Sequence, residues 1–179
     1  MSTDVLRQFF TQATQYYVTG RYAALAGLSP VAGNLIHHAI EMYLKGTLAK
    51  TLTLGELKKL SHNLPKVWEA FKVQAADPAL AAFDFLVSSL DAFEEIRYPD
   101  LIVARGMAAT VGVSRGTVTR SAATPSRPEP TYEVYIEETD ALVGKVFEVA
   151  AVNPAFFLTG LSKRCREYLT ESNTQSWAG

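Results

Sequence analysis

The sequence predicts an all-α fold, an up-and-down bundle of about five to six helices forming one domain over residues 1–179. Three observations lead there. Apolar residues recur at three- and four-residue spacing through most of the chain. Ser29-Pro30, Asp77-Pro78 and Asn153-Pro154 each set an N-cap residue before a first-turn proline. Alternation of period two is confined to one stretch, which places a small β-hairpin or a loop before the penultimate helix.

The first helix carries Val5, Leu6, Phe9, Phe10, Ala13, Tyr16 and Tyr17 on its apolar face, with Thr3 or Asp4 as cap, and runs to about Gly27. Ser29-Pro30 opens a second helix reaching towards Lys50. A third follows Ser61-His62-Asn63-Leu64-Pro65, with Leu64, Val67, Trp68 and Phe71 on one face. Asp77-Pro78 starts a fourth, bearing Leu80, Phe83, Leu86, Leu90 and Phe93, which Pro99 ends at or before Tyr98. An insert over residues 100–137 then interrupts the helices. Residues 106–128 hold three Arg, many Ser and Thr, two Pro and no acid. Thr131–Glu137 alternates with period two, and Thr110–Thr119 does so more weakly around Ser114-Arg115-Gly116, so a hairpin or ribbon is expected, with a flexible loop as the rival. Helical spacing returns near Asp140 with Ala141, Leu142, Val146, Phe147 and Val149, and Asn153-Pro154 opens a last helix through Phe157, Leu161, Cys165 and Tyr168. The tail after Thr170 is expected to fray.

With 48% hydrophobic and 20% charged residues, the chain has material for one ordinary core. A net charge of −1 supplies no global basic field, so binding to nucleic acid would have to come from a local patch. The single cysteine, Cys165, excludes an intrachain disulfide and a Cys-rich zinc site, and fits a reducing compartment. A basic segment followed by an apolar one is absent from the start, and no apolar run approaches membrane-spanning length. The expectation is a cytoplasmic protein with no membrane association.

The stretch Leu35–Gly46, LIHHAIEMYLKG, raises the functional question. At 100° per residue, Asn34, His38, Glu41 and Lys45 fall within a stripe of about 60°, and apolar residues cover most of the remaining circumference. Such a helix is central and mostly enclosed, its polar edge meeting a groove, another helix or a second subunit. As a surface feature, Glu41 and Lys45 are merely an i,i+4 pair worth about 0.2–0.5 kcal/mol. His37 and His38 are adjacent and point about 100° apart, which argues against both binding one metal without a further ligand set, so neither metal nor cofactor is expected. His62 beside Asn63 reads as a loop or cap residue.

His38-Ala39-Ile40-Glu41 with Leu44-Lys45, then Ser61-His62-Asn63-Leu64, then Ile96-Arg97-Tyr98-Pro99, together with Tyr16-Tyr17, resemble the HEPN family (higher eukaryotes and prokaryotes nucleotide-binding domains). The resemblance covers the chain apart from its Ser/Thr-rich insert and rests on the order of the motifs. It implies an all-α bundle, a homodimer, and a nucleotidyltransferase-type protein partner, as in toxin–antitoxin or defence pairs. Many family members are metal-independent ribonucleases, whose motif is an arginine followed, after a spacer of about four to six residues, by a histidine near the start of the last core helix. Here the histidines stand at 37, 38 and 62, all before Arg97, and none follows an arginine at that spacing. The missing histidine is the group best suited to exchange protons at neutral pH, while Arg97 could serve only as a phosphate clamp.

Phosphate-binding and hydrolase motifs are missing as well. Arg105, Arg115, Arg120 and Arg127 could form a local phosphate-binding patch, with Tyr132 and Tyr135 stacking on bases, although the acidic run Glu129, Glu133, Glu137, Glu138 and Asp140 follows directly. The reading is therefore a non-catalytic module that binds a nucleotide, RNA or a protein, with His38, Glu41, Lys45, Arg97, Tyr98 and Asp100 as candidate ligand-binding residues. The alternatives are a divergent ribonuclease toxin using Arg97, Tyr98 and Asp100 with Glu41 or His38, and a structural oligomerisation domain.

Overall fold

The structure, a computed structural model, describes residues 2–112 and 130–178. It is a helical bundle with a small β insert. The helices are α1 (Ser2–Leu25), α2 (Ser29–Leu48), α3 (Leu54–Lys59), α4 (Leu64–Ala75), α5 (Asp84–Ala92), α6 (Pro99–Arg105), α7 (Ile136–Ala150), α8 (Ala155–Leu158) and α9 (Lys163–Thr170). Strands β1 (Ala108–Gly112) and β2 (Thr131–Tyr135) lie between α6 and α7. Among the described residues no helix is long and apolar enough to cross a membrane.

Helix α2 is the central element, buried along most of its length from Ala32 to Leu48. Two glycines let aromatic rings lie directly on its backbone. A Cβ at Gly33 would fall 2.0 Å from Phe93 Cδ1, and one at Gly46 would fall 2.7 Å from Phe10 Cδ2. Phe10 also meets Tyr43 and Phe147 edge-on, at centroid separations of 5.2 and 5.3 Å, so α1, α2 and α7 share one aromatic core.

The joints depart from the sequence reading in ways local chemistry explains. Thr53 and Glu56 form a reciprocal capping box that starts α3, a helix not expected. Pro78–Phe83 forms a 3-10 segment, and α5 proper begins at Asp84. Helix α5 ends at Ala92, well before Pro99, and Pro99 opens another helix instead: with Tyr98 extended before it, it occupies the first turn of α6, where its missing N–H costs nothing. The expected hairpin is not formed. Strands β1 and β2 pair in parallel, Ala108 opposite Thr131 through Gly112 opposite Tyr135, whereas a hairpin would pair them antiparallel. Val111 and Val134 bury this ribbon against the bundle. The weaker alternation around Ser114-Arg115-Gly116 lies outside the described residues. Helix α7 starts at Ile136, four residues before the expected Asp140, with Glu137 and Glu138 in its first turn. The last helix is broken into α8 and α9, the latter capped by Ser162.

The tail after Thr170 does not fray, because a buried charge network holds it. Arg21 is fully buried on α1, and its Nη1 lies 2.5 Å from both carboxylate oxygens of Asp140 on α7. Tyr17 donates its hydroxyl to the same carboxylate at 2.6 Å. Arg21 also donates to the carbonyls of Tyr168 and Glu171, and Trp177 Nε1 donates to the Asp140 carbonyl at 2.9 Å. The Trp177 ring packs on Tyr17 and Phe147. Burial pushes the Asp140 carboxyl up to about 6, against the opposing pull of the Arg21 guanidinium and the Tyr17 hydroxyl.

Asp140→Ala leaves Arg21 charged, buried and unpaired, and is expected to cost about 3–5 kcal/mol in urea unfolding. The double variant Arg21→Met/Asp140→Leu should recover much of that loss; a double variant as unstable as the sum of the singles would count against the pairing. A milder pH effect belongs to Asp84, which accepts from Trp68 Nε1 at 2.7 Å and Lys72 Nζ at 2.8 Å and joins α4 to α5. The Lys72 hydrogen bond first, then that of Trp68, holds Asp84 below its ordinary value. A depressed carboxylate adds stability above its unfolded-state value of about 3.9 and loses it as the pH falls through the folded one. Asp84→Asn should remove that acid-side loss, read by Trp68 emission in a Trp177→Phe background.

Candidate functional site

Three of the predicted residues, His38, Glu41 and Lys45, converge on the polar edge of α2, and two further histidines join them. Glu41 is only 4% exposed and Lys45 8%, so the pair is enclosed and is not the surface i,i+4 contact that the sequence allows. Lys45 Nζ donates to Glu41 Oε1 at 2.5 Å and to the Ser61 carbonyl, which ties α2 to the loop before α4. From that loop His62 brings Nδ1 to 3.1 Å from Glu41 Oε1, while its own side chain stays 73% exposed. His62 is thus part of the cluster and not just a loop residue. His37 Nε2 and His38 Nδ1 each lie 3.9 Å from Glu41 Oε2.

The electrostatics of the cluster follow from these contacts. Burial alone would raise the Glu41 carboxyl; the nearby His38 imidazole, the Lys45 hydrogen bond and charge, and the His62 contact outweigh it and hold the group at about 2. Glu41 is thereby kept ionised and is a poor proton acceptor near neutral pH. His37 is completely buried, and burial pushes its imidazole below the ordinary value, so it is neutral. Its Nδ1 lies 3.0 Å from the Leu90 carbonyl on α5.

Arg97, Tyr98 and Asp100 lie beyond the cluster, on the turn after α5 and the first turn of α6, and all three are exposed. Arg97 pairs with Glu94 at 3.0 Å, and its guanidinium sits 5.8 Å from the Tyr98 ring centre. Two residues relate this surface to the cluster. Tyr16 packs on His38 with centroids 5.9 Å apart and is within electrostatic range of Arg97; Glu94 acts in the same way on His37. Arg105 is exposed at the end of α6, whereas Arg115, Arg120 and Arg127 lie outside the described residues, as does Glu129. Tyr132, expected as a stacking platform, is buried against Phe93 with centroids 5.8 Å apart, because β2 turns it into the core. Tyr16 and Tyr98, 37% and 65% exposed, are the accessible rings beside the site.

Comparisons of the chain with protein-family models, with curated proteins and with solved structures found no match. Function is therefore argued from the residues themselves.

Lys45→Met deprives a buried carboxylate of its main partner. The cost is expected near the low end of the about 3–5 kcal/mol typical of a broken buried pair, since His38 and His62 remain. Adding Glu41→Leu should restore stability relative to the single variant, and unfolding curves of the two variants that coincide would show that the pair contributes no coupling.

Proposed function

We propose that the protein is a HEPN-like module without the ribonuclease motif that binds single-stranded RNA or a nucleotide at the surface formed by Arg97, Tyr98, Tyr16 and His38. The observation that carries this reading is the exposed Arg97 guanidinium beside the exposed Tyr98 ring, with Tyr16 adjoining. A guanidinium clamps phosphate, and an aromatic face stacks on a base. The Arg97–Glu94 pair is a partly exposed i,i+3 contact, weak enough for a phosphate to replace it. Arg105, in the last turn of α6, is a further exposed cation. The state of the two buried groups supports a binding role: Glu41 is held as a carboxylate, and His37 is sealed in the core.

As the family resemblance implies, the module is read as a homodimer with a nucleotidyltransferase-type partner. Tyr22, Leu28 and Val31, exposed apolar residues around the α1–α2 turn, are consistent with such an interface.

The test is fluorescence anisotropy with a mixed-sequence single-stranded RNA across a salt series. Arg97→Ala should flatten the log–log salt slope by about 0.7, the share of one phosphate contact. Tyr98→Ala should weaken binding by the about 1–3 kcal/mol of one stacked base. Light scattering of the same samples should give twice the chain mass. Wild-type binding that neither substitution changes would sink the reading. Robust metal-free cleavage that both Arg97→Ala and Glu41→Ala abolish would establish the ribonuclease alternative instead.

A further inference from the structure

His37 presents a buried nitrogen without an obvious use. The Leu90 carbonyl can only accept, so the hydrogen of the neutral ring sits on Nδ1, and Nε2 carries a lone pair. That nitrogen is buried and has no hydrogen-bond partner, in a residue with 0% exposure. An unsatisfied buried acceptor destabilises the fold, which a leucine at this position would avoid. Nε2 is not aimed into apolar packing. It faces the Glu41 carboxylate, and the nearest donor atoms of His37, His38 and Glu41 all lie within 4.8 Å of one another.

We propose that His37 Nε2, His38 Nδ1 and Glu41 Oε2 form a binding site for a first-row dication of the zinc class, with a fourth position open towards His62. This does not rest on the RNA-binding reading. Adjacent histidines point about 100° apart, which is why the sequence argues against a shared metal; Glu41 changes that, because it lies +40° from His37 and −60° from His38 on the helical wheel. The carboxylate therefore rises one turn above the gap between the two rings, and all three side chains can meet. Two imidazoles and one carboxylate suit zinc and its neighbours better than magnesium or calcium, which favour all-oxygen shells.

The surrounding groups fit this donor set. Metal-binding histidines commonly donate their second ring N–H to a backbone carbonyl, as His37 does to Leu90. Lys45 holds Oε1 of Glu41, which orients Oε2 towards the histidines. Glu94, whose Oε2 is buried without a partner, adds negative charge close to His37. Tetrahedral ligand atoms about 2.0–2.1 Å from a metal are ~3.4 Å apart. The two 3.9 Å pairs thus need only a small closure, and the partly exposed His38 has room to make it.

The test uses tag-free full-length protein carrying Cys165→Ser, so that the lone thiol cannot compete, stripped with chelator and dialysed. Titration with Co²⁺ should give visible absorption of a low-symmetry site that saturates at one ion per chain and is displaced by Zn²⁺. His38→Ala should weaken binding by more than the about 10–100-fold seen when only an outer-shell partner is lost. Because His38 is partly exposed, that variant should keep the far-UV circular dichroism and melting curve of the chelator-treated parent. His37→Gln and Glu41→Gln should also lose the absorption. The absence of saturable absorption in the parent, or an affinity unchanged by His38→Ala, would overturn the proposal.

Discussion

The Arg21–Asp140 ion pair organises the bundle, because it places full charges where they are tolerated only if every partner is present. Arg21 has more donors than one carboxylate can accept, and the remainder reach the carbonyls of Tyr168 and Glu171. One side chain on α1 thereby fixes α7, the end of α9 and the tail beyond it. Trp177 closes over Gly144, where a Cβ would fall 2.9 Å from its ring. Tyr17 completes the network and contributes its ring to the same aromatic core, so charge satisfaction and packing depend on one geometry.

With α1 and α7 held in this way, α2 has little exposed surface left, and its polar stripe must be satisfied inside the protein. Lys45 does so by reaching Glu41 and the Ser61 carbonyl, and His37 by reaching the Leu90 carbonyl. The same enclosure depends on Gly33 and Gly46, where any side chain would strike Phe93 or Phe10. A cluster that looks like a wet edge in sequence is, in three dimensions, a set of buried charges with a single exposed flank at His38 and His62.

Much of this was legible from spacing. Most of the apolar sets of α1, α2, α4 and α7 lie in or against the core, with Tyr16 an exposed exception, and the enclosure of α2 follows from its narrow polar stripe. What spacing could not reveal depends on contacts distant in sequence. Arg21 looks like an ordinary surface cation until Asp140, 119 residues away, is folded against it. Strand β2 was readable as a strand, but its parallel partner was not, because alternation carries no information about direction. The same alternation could not say that Tyr132 faces Phe93 rather than solvent. At the candidate site, Glu41 and Lys45 were visible on the wheel. The angle between adjacent His37 and His38 does not reveal the cluster; the i,i+4 relation of His37 to Glu41 is the signal in the sequence that does.

The cluster also draws on the loop before α4 and on helix α5. His62 comes from the loop that Asn63 turns into the cap of α4. The Leu90 carbonyl belongs to α5, whose neighbouring Asp91 accepts from the Leu64 N–H at 3.3 Å and so holds the start of α4 as well. Glu94 and Arg97 continue from that helix to the exposed surface. A group that bound between His37, His38 and Glu41 would draw on the helix that positions Leu90 and on the loop that positions His62. The contact to the buried cluster at Leu90 and the exposed guanidinium of Arg97 therefore stand seven residues apart on one continuous stretch of chain, joined by the Glu94–Arg97 pair.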